Sequence, residues 1–515
     1  MTLPEWLDPL YSPNEMRAAD RFAIEERSIL ELELAEKAGA GLASAVETVV
    51  RTGPIRIVVG PGNNGGDGLV AARLLREAGY RVNVLAPLSL EGLEGVPRTN
   101  LDRLPGPPPQ PFDAAHAAPL EGSGAIVDAL LGTGFEGAVG EPLDEVIQAI
   151  NAQEAPVVAA DVPSGVNAAT GEVEGVAVEA SVTSTNHAPK IGLYVGRGAR
   201  HSGFVSVVDI GIPSGDPGAS LVGLTNRRVL KKVPARSQHH SKLEAGAVLV
   251  AGGGRNSTGA PCLAALAAMR AGAGRVRVAV PASGASTVDS RLLEVLVHGL
   301  EDQDGGHVED GAKTVVRLAM QNEALAETIV LGPGMGHGPG ELSFVRGISR
   351  AATFPLVIAA DALHACTSQE ALNELAARPG HTVLVVGSHE LSRLLDEASA
   401  RTRGDRLSAA RSLADRSGSV VLLDEDNPMI ASPGGSCAVG VNDTGALATN
   451  GAGDVLAGLV GALLAKGLKP FEAAAASVFA RTEAGKRASE RVGGADYTVA
   501  SDIIEALPET LSALR

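Results

Sequence analysis

Asn63-Asn64-Gly65-Gly66-Asp67 sets two amides, two glycines and a carboxylate in five consecutive positions of a 515-residue chain. These lie inside Gly60-Pro61-Gly62-Asn63-Asn64-Gly65-Gly66-Asp67-Gly68. An apolar run from Ile55 to Val59 precedes them, and a helical pattern with Val70, Leu74, Leu75 and a stop at Gly79 follows. A strand, a glycine turn and a helix start present backbone N–H groups to an anionic or polar ligand. The spacing is neither GxGxxG nor GxxxxGK(S/T), so the ordinary dinucleotide and P-loop patterns do not apply. A pure phosphate cradle has no need of the Asn and Asp side chains.

Further oxygen donors occupy comparable places. Asp128 and Asp161 each follow an apolar strand, and Ser164 comes three residues after Asp161. In open α/β sheets ligands sit beyond the carboxyl ends of strands. The Asn64 amide, the Asp128 carboxylate and the Ser164 hydroxyl or carbonyl therefore converge there. An oxygen-only set with one formal charge suits a hard monovalent or weakly bound cation better than zinc. Asp161 and Ser164 are equally suited to capping a helix. Far along the chain, Gly451-Ala452-Gly453-Asp454 opens an apolar helix. Its glycines would expose N–H groups where a transferring phosphoryl group gathers charge, and Asp454 could take a proton from an attacking hydroxyl. Alone, the same four residues suit a glycine-rich turn with an aspartate cap.

The elements that must position these groups follow an alternating pattern. Ser12 to Val50 predicts one or two amphipathic helices. Strands are expected at Ile55 to Val59, Val82 to Leu85, Ala125 to Val127, Val157 to Ala160 and Val205 to Ile210. A second series runs through Val248 to Val250, Val276 to Val280, Ile329 to Leu331, Leu356 to Ala359, Val383 to Val386 and Val420 to Leu423. Helical patterns between most of them indicate open parallel α/β sheets. The length requires two cores, and the two halves carry different motifs, so two fused domains are expected. The boundaries read as 1–215 and 236–515, joined by a linker at 216–235 whose Arg227, Arg228, Lys231 and Lys232 suit a solvated connector. Pro105 to Pro111 predicts a surface loop.

Composition narrows the partners. A net charge of −17 disfavours nucleic acid and anionic membranes, although local N–H groups can still hold an anionic substrate. Aromatic residues make up 3% and there are 63 glycines, so Val, Leu, Ile and Ala must build closely packed cores. Cys262, Cys366 and Cys437 show no CxxC spacing, as expected of reduced thiols in the cytoplasm, and no signal peptide or membrane span is read.

The Asn-Asn-Gly-Gly-Asp core resembles the NAD(P)HX epimerases, which act on hydrated NADH and NADPH. Val127 to Phe135, Ala160 to Val166, Lys190 to Tyr194 and Val208 to Pro213 resemble further pieces of that family in the same order. The resemblance implies a Rossmann-like domain with potassium held by Asn64, Asp128 and Ser164. It also implies a substrate pocket lined by Asn63, Asn64, Gly65, Gly66, Asp67, Gly132, Thr133, Gly134, Phe135, Glu136, Gly137 and Ala138. Asp161 is implied to contact the reacting ring, and a carboxylate there could serve both as acid/base and as partner to a developing cation.

GxGD recurs in ribokinase-like enzymes. Val248 to Gly253, Thr258 to Pro261, Met269 to Gly274, Leu331 to Gly336 and Ala360 to Leu363 resemble the ADP-dependent NAD(P)H-hydrate dehydratases. That likeness implies ADP as co-substrate, with Mg2+ admissible. It further implies Asp454 as catalytic base, Gly451 and Gly453 at the nucleotide, and Ala260, Gly336 and His389 at the substrate. Three departures stand out: a shortened turn at Val386 to Glu390, Leu423-Asp424 in place of the family's Lys-Gly, and Asp443-Thr444 in place of Gly-Asn. A weak hold on ADP is therefore expected. The rival expectations for this half are a small-molecule kinase and a non-catalytic nucleotide-binding domain. A homo-oligomer is the expected assembly.

Overall fold

The computed structural model describes residues 3–113, 118–215, 220–321, 328–396, 405–441 and 444–513. The chain divides into two compact units. One holds Pro9–Val222 and the other Gly223–Arg515 together with Pro4–Asp8.

The first unit is built on a seven-stranded sheet. Its order is Gln110–Pro111, Val82–Ala86, Ile55–Val59, Ala125–Ala129, Val157–Ala160, Val182–Asn186 and Phe204–Val208. Every neighbouring pair is parallel. The order reverses beside Ile55–Val59, so the crevice beyond that strand and Ala125–Ala129 is where an open sheet of this kind takes a ligand. The expected strands are present, with two differences. The last residues of the proline-rich stretch pair with the sheet at Leu85 and Ala86. Val182–Asn186 is a strand that apolar patterning does not announce: Thr183, Ser184 and Thr185 are buried in it.

The glycine motif also folds differently from the expected turn. The helix begins at Asn63 and runs to Glu77, so Asn63 to Gly68 form its first turns. Glycine disfavours helix by about 1 kcal/mol per residue relative to alanine, and close packing outweighs that preference here. A Cβ on Gly65 would lie 1.9 Å from the Gly60 carbonyl oxygen, so only glycine allows this helix to sit so near the preceding strand. Ahead of it lie the helices Pro13–Arg21 and Glu31–Val49, the first opened by a capping box between Ser12 and Glu15. A short π-helical segment, Phe22–Glu26, lies between them.

The second unit carries an eleven-stranded sheet. Its central part runs Val420–Leu423, Thr382–Val386, Leu356–Ala359, Thr328–Leu331, Ala247–Ala251, Arg275–Pro281 and Leu296–Leu300, all parallel. Met429–Ala431 and Cys437–Val439 extend it antiparallel. The apolar helix Ala452–Ala465 packs on the sheet: Gly461 faces Val330 and Val248.

The expected boundaries shift in two ways. Trp6, 1% exposed, belongs to the second unit and lies 5.4 Å from the Phe471 ring. A six-residue opening has no periodicity to reveal that its one large aromatic ring fills a distant core. Asp216 to Ala219, at the start of the expected linker, fall outside the described residues, as does Asp443. The rest of the linker is ordered as the strand Val222–Thr225 and the 3-10 helix Arg227–Lys232. Val229 and Leu230 anchor this helix by burial, and Arg227, Arg228, Lys231 and Lys232 stay exposed. Among the described residues, no helix is long and apolar enough to cross a membrane, and Cys262, Cys366 and Cys437 are free and buried.

Candidate active sites

In the first unit, the strand ends and the helix Asn63–Glu77 surround a cavity of about 840 Å3. Asn63, Asn64, Asp67, Gly132, Thr133, Gly134, Phe135, Glu136 and Asp161 line it. Gly65 and Gly66 are buried against the fold, and Gly137 and Ala138 lie outside the lining.

Asp161 stands immediately after Val157–Ala160 with φ +63, a conformation that few residues other than glycine adopt. Its surroundings hold it there. Lys190, 0% exposed, places Nζ 2.5 Å from Asp161 Oδ1. Thr185 Oγ1 and the Asn186 backbone N–H donate to the same oxygen at 3.2 and 3.3 Å, and the Thr133 hydroxyl donates to Oδ2. Burial alone would raise the carboxyl pKa. The Lys190 charge and these hydrogen bonds outweigh it and hold Asp161 below the usual carboxylate range.

Asp67 meets the opposite environment. Burial, followed by the Asp161 charge, pushes it well above the ordinary value, and the Asn186 amide, 3.4 Å away, opposes this only in part. Asp20, on Pro13–Arg21, also lines the cavity and is raised to about 6, chiefly by burial. Sequence reasoning missed Asp20, Asn186 and the site role of Lys190. Lys190 had a signal of a kind, a lone cation in the short motif Lys190-Ile191-Gly192, whereas Asp20 has none.

Asp128 and Ser164 lie behind the cavity wall. The Ser164 hydroxyl donates to Asp128 Oδ1 at 2.6 Å, and the backbone N–H groups of Ser164 and Leu130 donate to the same carboxylate at 2.8 and 3.2 Å. Asn64 Nδ2 donates to the Leu131 carbonyl at 2.8 Å, and the Leu131 N–H donates to Ser164 Oγ at 2.9 Å. The three residues expected to hold a cation thus meet around Leu131. Asp128 is fully buried, and burial raises it to about 6 despite its hydrogen bonds. Among the described residues it forms no salt bridge. A buried carboxylate without a counter-charge, held by one hydroxyl and two N–H donors beside the Asn64 amide and the Leu131 carbonyl, fits a monovalent cation that would replace the missing charge.

In the second unit, Gly451 takes φ +88 at the start of Ala452–Ala465. A side chain there would be strained. The Cβ positions of Gly453 and Gly336 face open space, leaving room for a ligand beside the backbone. Asp454 is raised to about 6 by burial and by the Asp361 charge. Asp361 accepts a hydrogen bond from the Gly336 N–H at 2.9 Å, which ties the loop after Thr328–Leu331 to the same neighbourhood. Ala260 lies in the first turn of Gly259–Arg270, where it packs against Gly334. His389 is exposed in the first turn of Ser388–Leu395.

Asp424, which follows Leu423, has its own cationic partner. Arg481, buried on the helix Pro470–Val492, forms a two-pronged ion pair with Asp424, and its Nη1 also approaches the Ala452 carbonyl at 3.3 Å.

Two parallel α/β units, one enclosing a cavity rich in carboxylates and the other presenting a GxGD helix start, define a two-site enzyme. Residues 31–192 match the family model described as YjeF-related protein N-terminus, and residues 248–509 match the one described as NAD(P)H-hydrate dehydratase. A bifunctional NAD(P)H-hydrate repair enzyme from Salinibacter ruber is 38% identical over 531 residues, covering 97% of this chain and 95% of its own length. Its namesake from Moorella thermoacetica is 34% identical, covering 98% and 97%. A crystal structure of an ADP/ATP-dependent NAD(P)H-hydrate dehydratase from Bacillus subtilis, co-crystallised with ATP and Mg2+, covers 56% of this chain and 98% of its own at 22% identity and a TM-score of 0.47. The chain belongs to the family of bifunctional NAD(P)H-hydrate repair enzymes.

Proposed function

We propose that the two units act in sequence on hydrated NADH and NADPH: the first interconverts the R and S epimers at C6 of the reduced nicotinamide, and the second dehydrates the S form at the expense of ADP. The observation that carries this is the presence of two separate, chemically different carboxylate sites in a chain that its relatives match almost end to end.

In the first unit the cavity receives the hydrated ring, and Asp161 offers a negative charge to the cationic ring that forms when the hydroxyl leaves. Asn64, Asp128 and Ser164 would hold a potassium ion. Bound there, the ion would supply the positive charge that Asp128 lacks and fix the loops after Ile55–Val59, Ala125–Ala129 and Val157–Ala160.

In the second unit Asp454 removes the proton from the C6 hydroxyl, whose oxygen attacks the β-phosphorus of ADP while AMP leaves. Phosphate then departs with the C6–O electrons, and loss of a C5 proton restores the double bond. Gly451 and Gly453 would offer their N–H groups to the phosphates, with Mg2+ accompanying the nucleotide. Placement in the cytoplasm and assembly as a homo-oligomer complete the proposal.

The test is direct. The protein is incubated with mixed hydrate epimers, with and without ADP, and NAD(P)H absorbance is followed. Full conversion with ADP is expected. Recovery that stops when the S form is exhausted would remove the epimerase half, and no recovery would remove the dehydratase half.

A further inference from the structure

Among the carboxylates that line the cavity of the first unit, Asp67 and Asp161 have opposite surroundings. Lys190 Nζ has three protons, and three acceptors lie within reach: Asp161 Oδ1 at 2.5 Å, Thr185 Oγ1 at 3.1 Å and the Asn186 carbonyl at 2.8 Å. None remains for Asp67. Asp161 is equally committed, with Lys190, Thr185 and the Asn186 N–H on one oxygen and the Thr133 hydroxyl on the other. Protonating it would break a buried ion pair. Asn186 spans both groups, with its backbone N–H on Asp161 and its side-chain amide on Asp67.

The geometry points to a division of labour in which Asp67 is the acid that protonates the leaving hydroxyl, while Asp161, locked to Lys190, is a permanent anion that takes no proton. This rests on the reading of the first unit as an epimerase.

Paired carboxylates with divergent environments are the usual mark of separate acid and anion roles. The burial that raises Asp67 and the lysine that lowers Asp161 act in the required directions. The charges that bear on Asp67 are Asp161, Asp20 and Lys190, and Arg17, Glu31 and Glu136 line the same cavity.

The step balances as follows. Asp67 gives its proton to the C6 hydroxyl oxygen. The C6–O bond breaks and water leaves with the bonding pair. The ring nitrogen lone pair closes the N1=C6 bond, and Asp161 faces the resulting cation. Water then adds to the other face of C6, the N1=C6 π pair returns to nitrogen, and the proton shed by this water restores Asp67 through solvent. No electron is gained or lost.

The experiment measures epimerisation kcat against pH, corrected for the spontaneous reaction, in the full-length wild type, Asp67→Asn and Asp67→Glu. ADP-dependent dehydration of pure S hydrate serves as the control for folding. Wild-type kcat should fall as pH rises through the Asp67 pKa. Asp67→Asn should lose about two to four orders of magnitude in kcat, the usual worth of a positioned acid, together with that alkaline limb. Asp67→Glu should recover part of the rate with the limb displaced. An Asp67→Asn protein that keeps the wild-type limb overturns the assignment and leaves the epimerase reading standing. A wild type that epimerises at no pH overturns both.

Discussion

Asp161 and Asp454 are the same residue in the two units, one just after a parallel strand and one in the first turn of a helix packed on a sheet, and their surroundings send them in opposite directions. Asp161 is paired with a buried lysine, four donors fill its two oxygens, and its carboxyl is held low. Asp454 has a second carboxylate, Asp361, for a neighbour, and with burial this raises it to about 6. The first arrangement makes a fixed charge. The second makes a group that exchanges a proton near neutrality. The residue type is shared, so the surroundings decide the chemistry.

The largest test of this contrast is Asp454→Asn. Dehydration of S hydrate should fall by about two to four orders of magnitude, while epimerisation in the other unit is unchanged. Its stability should move the other way. A carboxylate raised in the folded state favours folding below its unfolded pKa, and that contribution is lost as pH rises through about 6. Asp454→Asn should therefore melt at a higher temperature than the wild type at pH 8, and the gain should vanish near pH 4. Equal melting at both would show that Asp454 is not desolvated.

Next in size is Lys190→Met. Removing one partner from a buried pair costs about 3–5 kcal/mol, because the remaining charge is stranded. Urea denaturation should show that loss, and adding Asp161→Asn should recover much of it. A pair that functioned only as surface charge would show neither effect.

The pH profile sharpens the comparison further. A base must be ionised, so kcat for dehydration should be full above about pH 6 and fall about tenfold per unit below it. Asp361→Asn should move that limb to lower pH by removing the like charge. A limb that stays in place would leave burial as the sole cause.

The smallest expected effect concerns the cation. Potassium at a hundredfold its dissociation constant should stabilise the protein by about 2.7 kcal/mol. Thermal melts should show a rise that sodium does not reproduce and that Asp128→Asn abolishes.

Much of this architecture is legible in the sequence because apolar strands announce themselves. Leu356–Ala359 and Val420–Leu423 are continuous apolar runs and Ile55–Val59 is interrupted only by the half-buried Arg56, so their buried positions follow directly. The polar strand Val182–Asn186 was not legible, since its threonines and serine are buried by neighbours that no local pattern specifies. The helix starting at Asn63 was hidden for a related reason: glycine-rich sequence predicts a turn, and only tertiary packing turns it into a helix. At the sites, Asp161 and Asp454 stood out by following strands or opening helices. Their neighbours did not, because Lys190 reaches Asp161 across 29 residues and the charge beside Asp454 comes from Asp361 on a separate element. Such contacts belong to the fold, not to any segment of it.

The placement of Trp6 sets a timetable for synthesis. Its carbonyl accepts a hydrogen bond from the Asn226 N–H at 3.1 Å, and its ring lies against Phe471. A chain emerging at about 5–20 residues per second makes this tryptophan wait roughly 25–90 s for the aromatic ring it will pack against. Everything from Pro9 to Val222 can fold in that interval. The second core must then recover a segment made long before the rest of that core, joining early-made residues to late-made ones.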